Sequence, residues 1–335
     1  MSAPDPHLSL SPEWRSWVVE NLLRGAPQDE VITALTAESV PLNYAQQYVQ
    51  SLYQLPEFQG AWKASRRGRQ LHTILKLPRT LYGQGASSIG VPQQVHLTGT
   101  DFYRDYYREN RPVHVPGYAR EWPAYSRWTP QHLRDTFGDV NVQITSGRES
   151  DPDYDMNTPK HSETITLRRY VEMILSLSHS NDVYMVANNR NLEHPDLAPL
   201  MDDVVFDPHI FRDNGWRGCS AFWLGPAGTI TPLHHDTCNI MFIQIYGRKR
   251  VRLFPPSATV LLDGARAMYA ALDPETPNHC ATDQMWVVDL EPGDALFLPV
   301  GWWHHVRALD TSISLAVTHF HPPNRFDWYV PGSTS

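Results

Sequence analysis

The stretch GTITPLHHDTCNIMFIQIYGRKRVRLFPP, residues 228–256, decides how the rest of this chain is interpreted. Its short apolar runs are interrupted by Gly, Asn and Pro, a pattern typical of antiparallel strands joined by turns. His234 and Asp236 stand two positions apart in the first predicted strand, so their side chains point to the same face of the sheet, whereas His235 points to the other face. An imidazole and a carboxylate on one face supply two of the three ligands of a facial metal triad.

Strands dominate the sequence from residue 218 onward, and the turns between them contain Gly-Pro, Gly-Arg-Lys and Pro-Gly-Asp. The predicted strands are Ser220–Leu224, Ile230–His235, Ile240–Tyr246, Arg250–Phe254, Trp286–Leu290, Ala295–Pro299, His305–Ala308 and Ile313–Phe320. Eight short strands with frequent turns predict a mainly β fold, an antiparallel double-sheet jelly roll (a double-stranded β-helix). Upstream, we predict surrounding helices and two short strands: Asp101–Glu109, Pro130–Phe137 and Leu167–Leu177 as helices, Val140–Thr145 and Val183–Ala187 as strands.

The N-terminal part of the chain reads as helical from residue 12 to about residue 77. Ser11 is a suitable N-cap, Pro12 suits the first helical position, and Gly25 ends the first helix. Residues 78–95 are rich in Gly, Ser and Pro and predict a linker. The expected domains are therefore an N-terminal helical region (1–77), a linker (78–95), a jelly-roll domain (96–323) and a C-terminal tail (324–335).

The composition favours a soluble protein with protein or small-molecule partners over a nucleic-acid or membrane protein. The chain has 335 residues, 41% of them hydrophobic, and a net charge of -8, whereas nucleic-acid binding depends mainly on positive charge. Three cysteines without CxxC spacing argue against a disulfide framework and a thiolate zinc site. The N-terminus MSAPDPHLSLSPEWRSW has no signal-peptide pattern, and no apolar run is long enough for a membrane helix. We expect a cytoplasmic protein with no nucleic-acid or membrane partner.

A third metal ligand is expected in FLPVGWWHHVRAL, residues 297–309, on a neighbouring strand. Alternation cannot decide between His304 and His305, so both remain candidates at this point. Iron and zinc are both possible metals for two histidines and one carboxylate. Iron is favoured because no fourth protein ligand and no separate general base stand out in the sequence.

Several ordered motifs extend this pattern over more than 200 residues. They are DFYRDYYRENRPVHVPGYAREWPAYSRWTPQHLRDTFGD (101–139), VYMVANN (183–189), FWLGPAGTITPLHHD (222–236), QIYGRKRVRLFPP (244–256), LEPGDALFLPVGWWHHVRAL (290–309) and ISLAVTHF (313–320). Across about residues 95–320 the sequence resembles the JmjC (cupin-like) family of iron(II)- and 2-oxoglutarate-dependent hydroxylases. It is similar to the asparaginyl hydroxylase of hypoxia-inducible factor and to bacterial cupin-like proteins.

The resemblance implies a site and its cofactors. The iron(II) ligands would be His234, Asp236 and His304, which resolves the doublet in favour of His304. The distal carboxylate of the cosubstrate 2-oxoglutarate would be bound by Lys249, with hydroxyl groups from Thr231 and Tyr184. Asn239 lies one position before a family Asn that lines the cosubstrate pocket, and it is included as a candidate. O2 would be the co-reactant.

The implied activity is hydroxylation of an unactivated C–H bond, with a protein or peptide side chain as the expected substrate. A small-molecule or amino-acid hydroxylase of natural-product biosynthesis is the first alternative. A demethylase is a weaker alternative, because no chromatin-reader or zinc module accompanies the barrel. The alternative from another class is a non-catalytic scaffold, which the intact triad and Lys249 disfavour. The sequence does not define the oligomeric state.

Overall fold

The computed structural model describes residues 10–85, 90–213, 215–262, 264–276 and 285–326. The described residues form two compact units, one up to residue 85 and one from residue 90 onward. None of the described helices combines the length and apolar character needed to cross a membrane.

The first unit consists of helices in its described part: α1 (Pro12–Arg24), α2 (Gln28–Ala37), α3 (Leu42–Leu52) and α4 (Pro56–Gly85). As predicted, α1 begins at Ser11, whose hydroxyl accepts a hydrogen bond from the Trp14 N–H at 3.3 Å. It ends at Gly25, whose φ of 99° lies in the left-handed region that glycine adopts most easily. The apolar faces of these helices meet in a core of Val18, Leu22, Val31, Leu35, Ala45, Val49, Leu52 and Phe58.

Helix α4 corrects the predicted position of the linker. It continues through residues 78–85, which the sequence predicts as linker. Pro78 and Gly83 are separated by residues that favour helix, such as Leu and Arg, so these isolated breakers do not end it. Residues 78–85 of the predicted linker are therefore helical. Residues 86–89 of the predicted linker and residues 327–335 of the predicted tail lie outside the described residues.

The second unit contains strands and short helices. Its described α-helices are α5 (Gly99–Asp101), α6 (Pro123–Arg127), α7 (Pro130–Phe137), α8 (Thr158–His161) and α9 (Leu167–Ser176). Its strands are β1 (Val113–Val115), β2 (Asn141–Thr145), β3 (Ser162–Thr166), β4 (Ser220–Gly225), β5 (Ile230–His234), β6 (Ile240–Tyr246), β7 (Lys249–Phe254), β8 (Trp286–Leu290), β9 (Ala295–Leu298), β10 (Trp303–Ala308) and β11 (Ser312–Val317).

The strands confirm the predicted jelly roll. A five-stranded sheet has the order β1-β9-β6-β11-β4, and a four-stranded sheet has the order β5-β10-β7-β8, with antiparallel pairing throughout. Strands β2 and β3 form a separate pair. Alternation along β6 separates the two faces of the larger sheet. Ile240 and Phe242 line the cavity between the sheets, while Met241 and Ile243 pack into the core on the outer side.

Two predicted elements take a different form. Instead of one regular helix over Asp101–Glu109, α5 continues as a π-helical segment, Phe102–Tyr107. The predicted strand Val183–Ala187 forms only isolated bridges, in which Tyr184 pairs with Thr145 and Met185 pairs with Leu224. These bridges span the gap between β2 and β4, and they fix the backbone of Tyr184 at the cavity.

The turn between β6 and β7 generates a prediction on stability. Gly247 has a φ of 67°, and a Cβ atom there would collide with the carbonyl oxygen of Thr311. Gly147 has nearly the same φ, 69°, but its Cβ would meet no atom closer than 3.7 Å. We expect Gly147→Ala to cost about 1–2 kcal/mol for the left-handed backbone alone. Gly247→Ala should cost about 1–3 kcal/mol more, because the collision adds to the strain.

Urea unfolding of the two variants, followed by tryptophan fluorescence, measures the difference. Equal loss of stability in both variants would contradict the collision at Thr311.

Candidate metal centre

The three predicted metal ligands meet where β5 pairs with β10. His234 lies directly opposite His304 in this antiparallel pair, and Asp236 follows just after the end of β5. One potential ligand atom from each of the three residues lies within 4.8 Å of the others. The Asp236 Oδ2 atom is 3.3 Å from the His304 Nε2 atom and 3.8 Å from the His234 Nε2 atom. The structure thus brings together the residues predicted as a facial triad.

Backbone carbonyls hold both imidazole rings in one tautomer. The Nδ1 atom of His234 lies 2.8 Å from the Pro232 carbonyl oxygen, and that of His304 lies 2.9 Å from the Trp302 carbonyl oxygen. Because a carbonyl only accepts hydrogen bonds, each Nδ1 carries the proton and donates it. The Nε2 lone pairs are then free to bind a metal ion, the arrangement that fixes ring orientation in histidine metal sites.

The protonation states also suit metal binding at neutral pH. Burial, together with the nearby His304, lowers the pKa of His234 to about 4. Burial alone would raise the pKa of Asp236, but the two neighbouring imidazoles lower it to about 2. His234 is therefore neutral and Asp236 is ionised near pH 7, and these are the forms that bind metals.

The second member of each histidine doublet lies on the other side of its strand. The ring of His235 packs edge-on against Trp303, with 4.6 Å between ring centroids. His305 lies beside Asp273 and Glu275, and the Glu275 carboxylate already pairs with Arg252 and Arg307. Two arginines balance the two acidic side chains there, so this second group offers no net attraction for a cation.

A cavity of about 390 Å³ extends from the three ligands between the sheets. Lys249, at the start of β7, lies in its wall and is 1% exposed. Its ammonium donates a hydrogen bond to the Tyr184 hydroxyl at 2.9 Å, and no described carboxylate pairs with it. Burial lowers the pKa of Lys249 to about 7. A buried cation without a counter-ion is costly, and an anionic ligand in the cavity would remove that cost.

Two of the three other predicted cosubstrate residues line the same cavity. Tyr184 and Thr231 are part of its wall beside Lys249. Burial raises the pKa of Tyr184, so its hydroxyl stays protonated at neutral pH and can donate a hydrogen bond. Both hydroxyl groups therefore suit an anionic ligand that also contacts Lys249.

Asn239, the fourth candidate cosubstrate residue, does not lie in the cavity wall. Ile240 faces the cavity, and Asn239, one position earlier, faces away from it. Its side-chain amide is engaged elsewhere, since it accepts a hydrogen bond from the Val300 N–H at 2.9 Å and donates one to Asn324 at 2.9 Å. Asn239 thereby ties the start of β6 to the loop before β10.

Sequence reasoning missed three residues near the cavity. Asp155 and Tyr269 line it, and the Tyr269 ring lies 5.6 Å from the His234 ring, centroid to centroid. The guanidinium of Arg148, 1% exposed, lies 4.2 Å from the Tyr154 ring centroid and 5.1 Å from that of Tyr184. All three belong to segments without regular alternation, so no periodic signal predicts their orientation.

The residues present fit an iron ion and a dicarboxylate cosubstrate. Two imidazole nitrogens and one carboxylate form the ligand set that is typical of non-haem iron oxygenases, which keep positions open for other ligands. In the described part of the chain, no fourth ligand joins this group. The unpaired Lys249 in the same cavity matches the far carboxylate of 2-oxoglutarate in charge.

Comparison with known proteins agrees with this architecture. A family model described as a cupin-like domain matches residues 99–325. The chain belongs to this cupin-like JmjC family, a family of iron- and 2-oxoglutarate-type oxygenases.

Three curated relatives illustrate the similarity. Lysine-specific demethylase JMJ30 of Arabidopsis thaliana is 29% identical over 242 residues, which cover 68% of this chain and 54% of the relative. Lysine-specific demethylase 8 of Xenopus tropicalis is 26% identical over 254 residues, covering 72% and 55%. HSPB1-associated protein 1 of Bos taurus is 30% identical over 221 residues, covering 57% and 44%. The chain thus spans about half the length of these relatives.

Substitution of the three ligands tests the metal centre. We expect His234→Ala, Asp236→Ala and His304→Ala each to weaken binding of manganese(II) or iron(II) by more than about 100-fold, since even outer-shell changes cost 10–100-fold. His235→Ala is the matched control, because it removes the neighbouring imidazole on the opposite face. It should keep metal affinity within about threefold of the wild-type value, as expected for a residue outside the ligand shell. Calorimetric titration under nitrogen measures both. Retained affinity in His304→Ala, with loss in His305→Ala, would contradict the register of β10.

Proposed function

We propose that this protein is an iron(II)- and 2-oxoglutarate-dependent oxygenase that hydroxylates an unactivated C–H bond. The observation that carries the proposal is the buried, unpaired Lys249 in the same cavity as His234, Asp236 and His304. In a non-catalytic scaffold, a buried cation without a counter-ion would only destabilise the fold. In an oxygenase, the dianionic cosubstrate would stabilise that cation.

Each side chain then has a stated part in the reaction. When bound, iron and 2-oxoglutarate supply the oxidising chemistry. His234, Asp236 and His304 hold the metal from one side. Lys249 and the hydroxyls of Tyr184 and Thr231 orient the far carboxylate. The apolar walls, which include Trp223, Phe242 and Leu298, exclude water from the reacting atoms. No side-chain general base is required.

A protein or peptide side chain is the proposed substrate. The cavity volume of about 390 Å³ is near the lower end of the range for ligand pockets, about 300–1,000 Å³. After 2-oxoglutarate is accommodated, the remaining space suits one side chain better than a large metabolite. Two of the relatives carry the name lysine-specific demethylase, which also refers to action on a side chain.

Replacement of Lys249 tests the cosubstrate site. We expect Lys249→Ala to weaken 2-oxoglutarate binding by about 3–5 kcal/mol, because one partner of a buried charge pair is removed. Lys249→Arg should restore little of the 2-oxoglutarate affinity, because the larger, planar guanidinium does not fit a site shaped for the compact ammonium group of lysine. Arg250→Ala is the matched control: Arg250 follows on β7 but points outward and pairs with Asp289 at 2.7 Å. Calorimetry on nickel-loaded protein measures the affinities, and unchanged binding by Lys249→Ala would rule out this role.

Product analysis tests the reaction. With iron(II), ascorbate and 2-oxoglutarate, the purified protein should form succinate slowly even without substrate. A peptide substrate should accelerate succinate formation and gain one oxygen atom (16 mass units), as mass spectrometry detects. We expect a stable alcohol. A hydroxyl group on a carbon next to nitrogen would instead give an unstable product that breaks the C–N bond and releases that carbon. Loss of a methyl group from the peptide would show that the activity is demethylation and not stable hydroxylation. If no succinate forms although metal and 2-oxoglutarate are shown to bind, the protein is a non-catalytic scaffold and not an oxygenase.

A further inference from the structure

Arg148 is a buried cation next to the metal cavity. Its side chain is 1% exposed and is not part of the cavity wall. It forms a buried ion pair with Asp155, in which the Arg148 Nη2 atom lies 3.8 Å from the Asp155 Oδ1 atom. The Nε atom of Arg148 is buried and has no hydrogen-bond partner among the described residues. Because a buried ion pair with an unsatisfied donor contributes little stability, stability alone does not account for this arginine.

One contact of Arg148 holds the start of the strand that carries Thr231. The Arg148 Nη2 atom donates a hydrogen bond to the Ile230 carbonyl oxygen at 2.6 Å. Ile230 is the first residue of β5, and its N–H donates to the Asn181 side chain at 2.8 Å. Side chains from outside the sheet therefore fix the backbone of Ile230 on both sides. Since Thr231 follows directly, Arg148 helps to set the position of the Thr231 hydroxyl in the cavity wall.

A second group of contacts holds Tyr184. The guanidinium carbon of Arg148 lies 5.1 Å from the centroid of the Tyr184 ring, within the range of a cation–π interaction. The Arg148 Nη1 atom lies 3.5 Å from the Thr145 hydroxyl, which donates a hydrogen bond to the Tyr184 carbonyl at 2.8 Å. The backbones of Thr145 and Tyr184 also exchange hydrogen bonds of 2.8 and 2.9 Å. Arg148 therefore contacts the Tyr184 ring and also the residue that fixes the Tyr184 backbone.

Arginine suits this combination of contacts better than lysine does. The guanidinium directs several donors in one plane and presents flat faces to aromatic rings, whereas an ammonium is a compact charge without a plane. Lys249 contacts Tyr184 at a different point, through the hydroxyl at 2.9 Å. The Tyr184 side chain is thus held at its hydroxyl by Lys249 and at its ring by Arg148.

We propose that Arg148 is a positioning residue for the cosubstrate, which holds the hydroxyl groups of Tyr184 and Thr231 at the spacing that the far carboxylate of 2-oxoglutarate requires. This role rests on the proposed function, because it assumes that the two hydroxyl groups bind that carboxylate. Arg148 acts through them and does not touch the cosubstrate, since it is not part of the cavity wall. Its effect is therefore confined to ligands that have a far carboxylate.

Two ligands separate this role from general support of the fold. 2-Oxoglutarate has the far carboxylate, whereas 2-oxobutanoate has the same 2-oxo acid end and lacks it. Calorimetry on nickel-loaded protein measures 2-oxoglutarate directly and 2-oxobutanoate by competition. Arg148→Lys keeps the charge opposite Asp155 and removes the planar group. It should weaken 2-oxoglutarate binding at least about tenfold, as expected when hydrogen bonds to a charged ligand are misplaced, and leave 2-oxobutanoate within about twofold.

Equal losses for the two ligands, or no loss for either, would overturn the proposal. Arg252→Lys is the matched control. Arg252 is also largely buried and pairs with Glu275 at 2.6 Å, but it lies on β7 outside the cavity wall, and both affinities should stay within about twofold.

A second variant applies if Arg148→Lys does not fold. Arg148→Gln combined with Asp155→Asn removes both charges of the ion pair, which proteins tolerate better than the loss of one partner. Compared with Asp155→Asn alone, the double variant should show the same selective loss of 2-oxoglutarate affinity. An unchanged ratio of the two affinities would contradict the role of Arg148.

The combination of Arg148→Lys with Tyr184→Phe tests the indirect route. The combined loss of 2-oxoglutarate affinity should be smaller than the product of the two single losses, because both substitutions affect the same contact. Independent losses would contradict action through Tyr184. If the wild-type protein binds no 2-oxoglutarate, the proposed function fails and this role fails with it. Wild-type binding that Arg148→Lys leaves unchanged would overturn only the role of Arg148.

Discussion

The antiparallel pairing of β5 with β10 is the contact on which the site depends. It sets His234 directly opposite His304, and both imidazoles face the space between the two sheets. The register shifts between His304 and Val306, so the pairing is regular on only one side of the ligand. The same strand, β10, pairs on its other side with β7, which begins at Lys249. One strand therefore links the metal ligands to the cation at the far end of the cavity.

Charge inside the cavity is arranged in two opposite ways. Around the predicted metal position, the two imidazoles are held by backbone carbonyls and flank the Asp236 carboxylate. At Lys249 the structure instead leaves an ammonium group that no described carboxylate pairs with. Such unsatisfied groups weaken the fold, and proteins tend to retain them at sites where a ligand completes the set.

The strands and the face of His234 could be predicted because one side of each strand has a distinct chemical character. The doublet His304-His305 could not be resolved from the residues alone. Both faces of β10 are buried. Trp303 packs on the outer face against Phe254, Ala258 and Leu261, and Val306 lines the cavity on the inner face, so both faces carry apolar residues. Alternation is visible only where one face is polar. The family resemblance supplied the register that the local pattern lacks.

Other residues escaped prediction for different physical reasons. Asn239 differs from the cavity-facing residue by a single position, and on a strand one position reverses the direction of the side chain. Asp155 and Arg148 belong to a loop whose course is set by contacts with distant segments, such as the hydrogen bond from Arg148 to Ile230. Helix α4 extended further than expected because propensity opposes helix at Pro78 only locally, whereas the segment around it favours helix.

The carbonyl contacts of Pro232 and Trp302 have a consequence for metal selection. They orient both imidazoles through bonds that exist in the folded chain itself, so the ligand geometry does not wait for the ion to form it. Because this geometry exists before any ion binds, it does not select one divalent ion over another through metal-dependent folding. The intrinsic order of divalent affinities places nickel, copper and zinc above iron(II). If iron(II) is its ion, as proposed, the site would bind competing divalent metals readily, and its occupancy would depend on which metals the cell makes available.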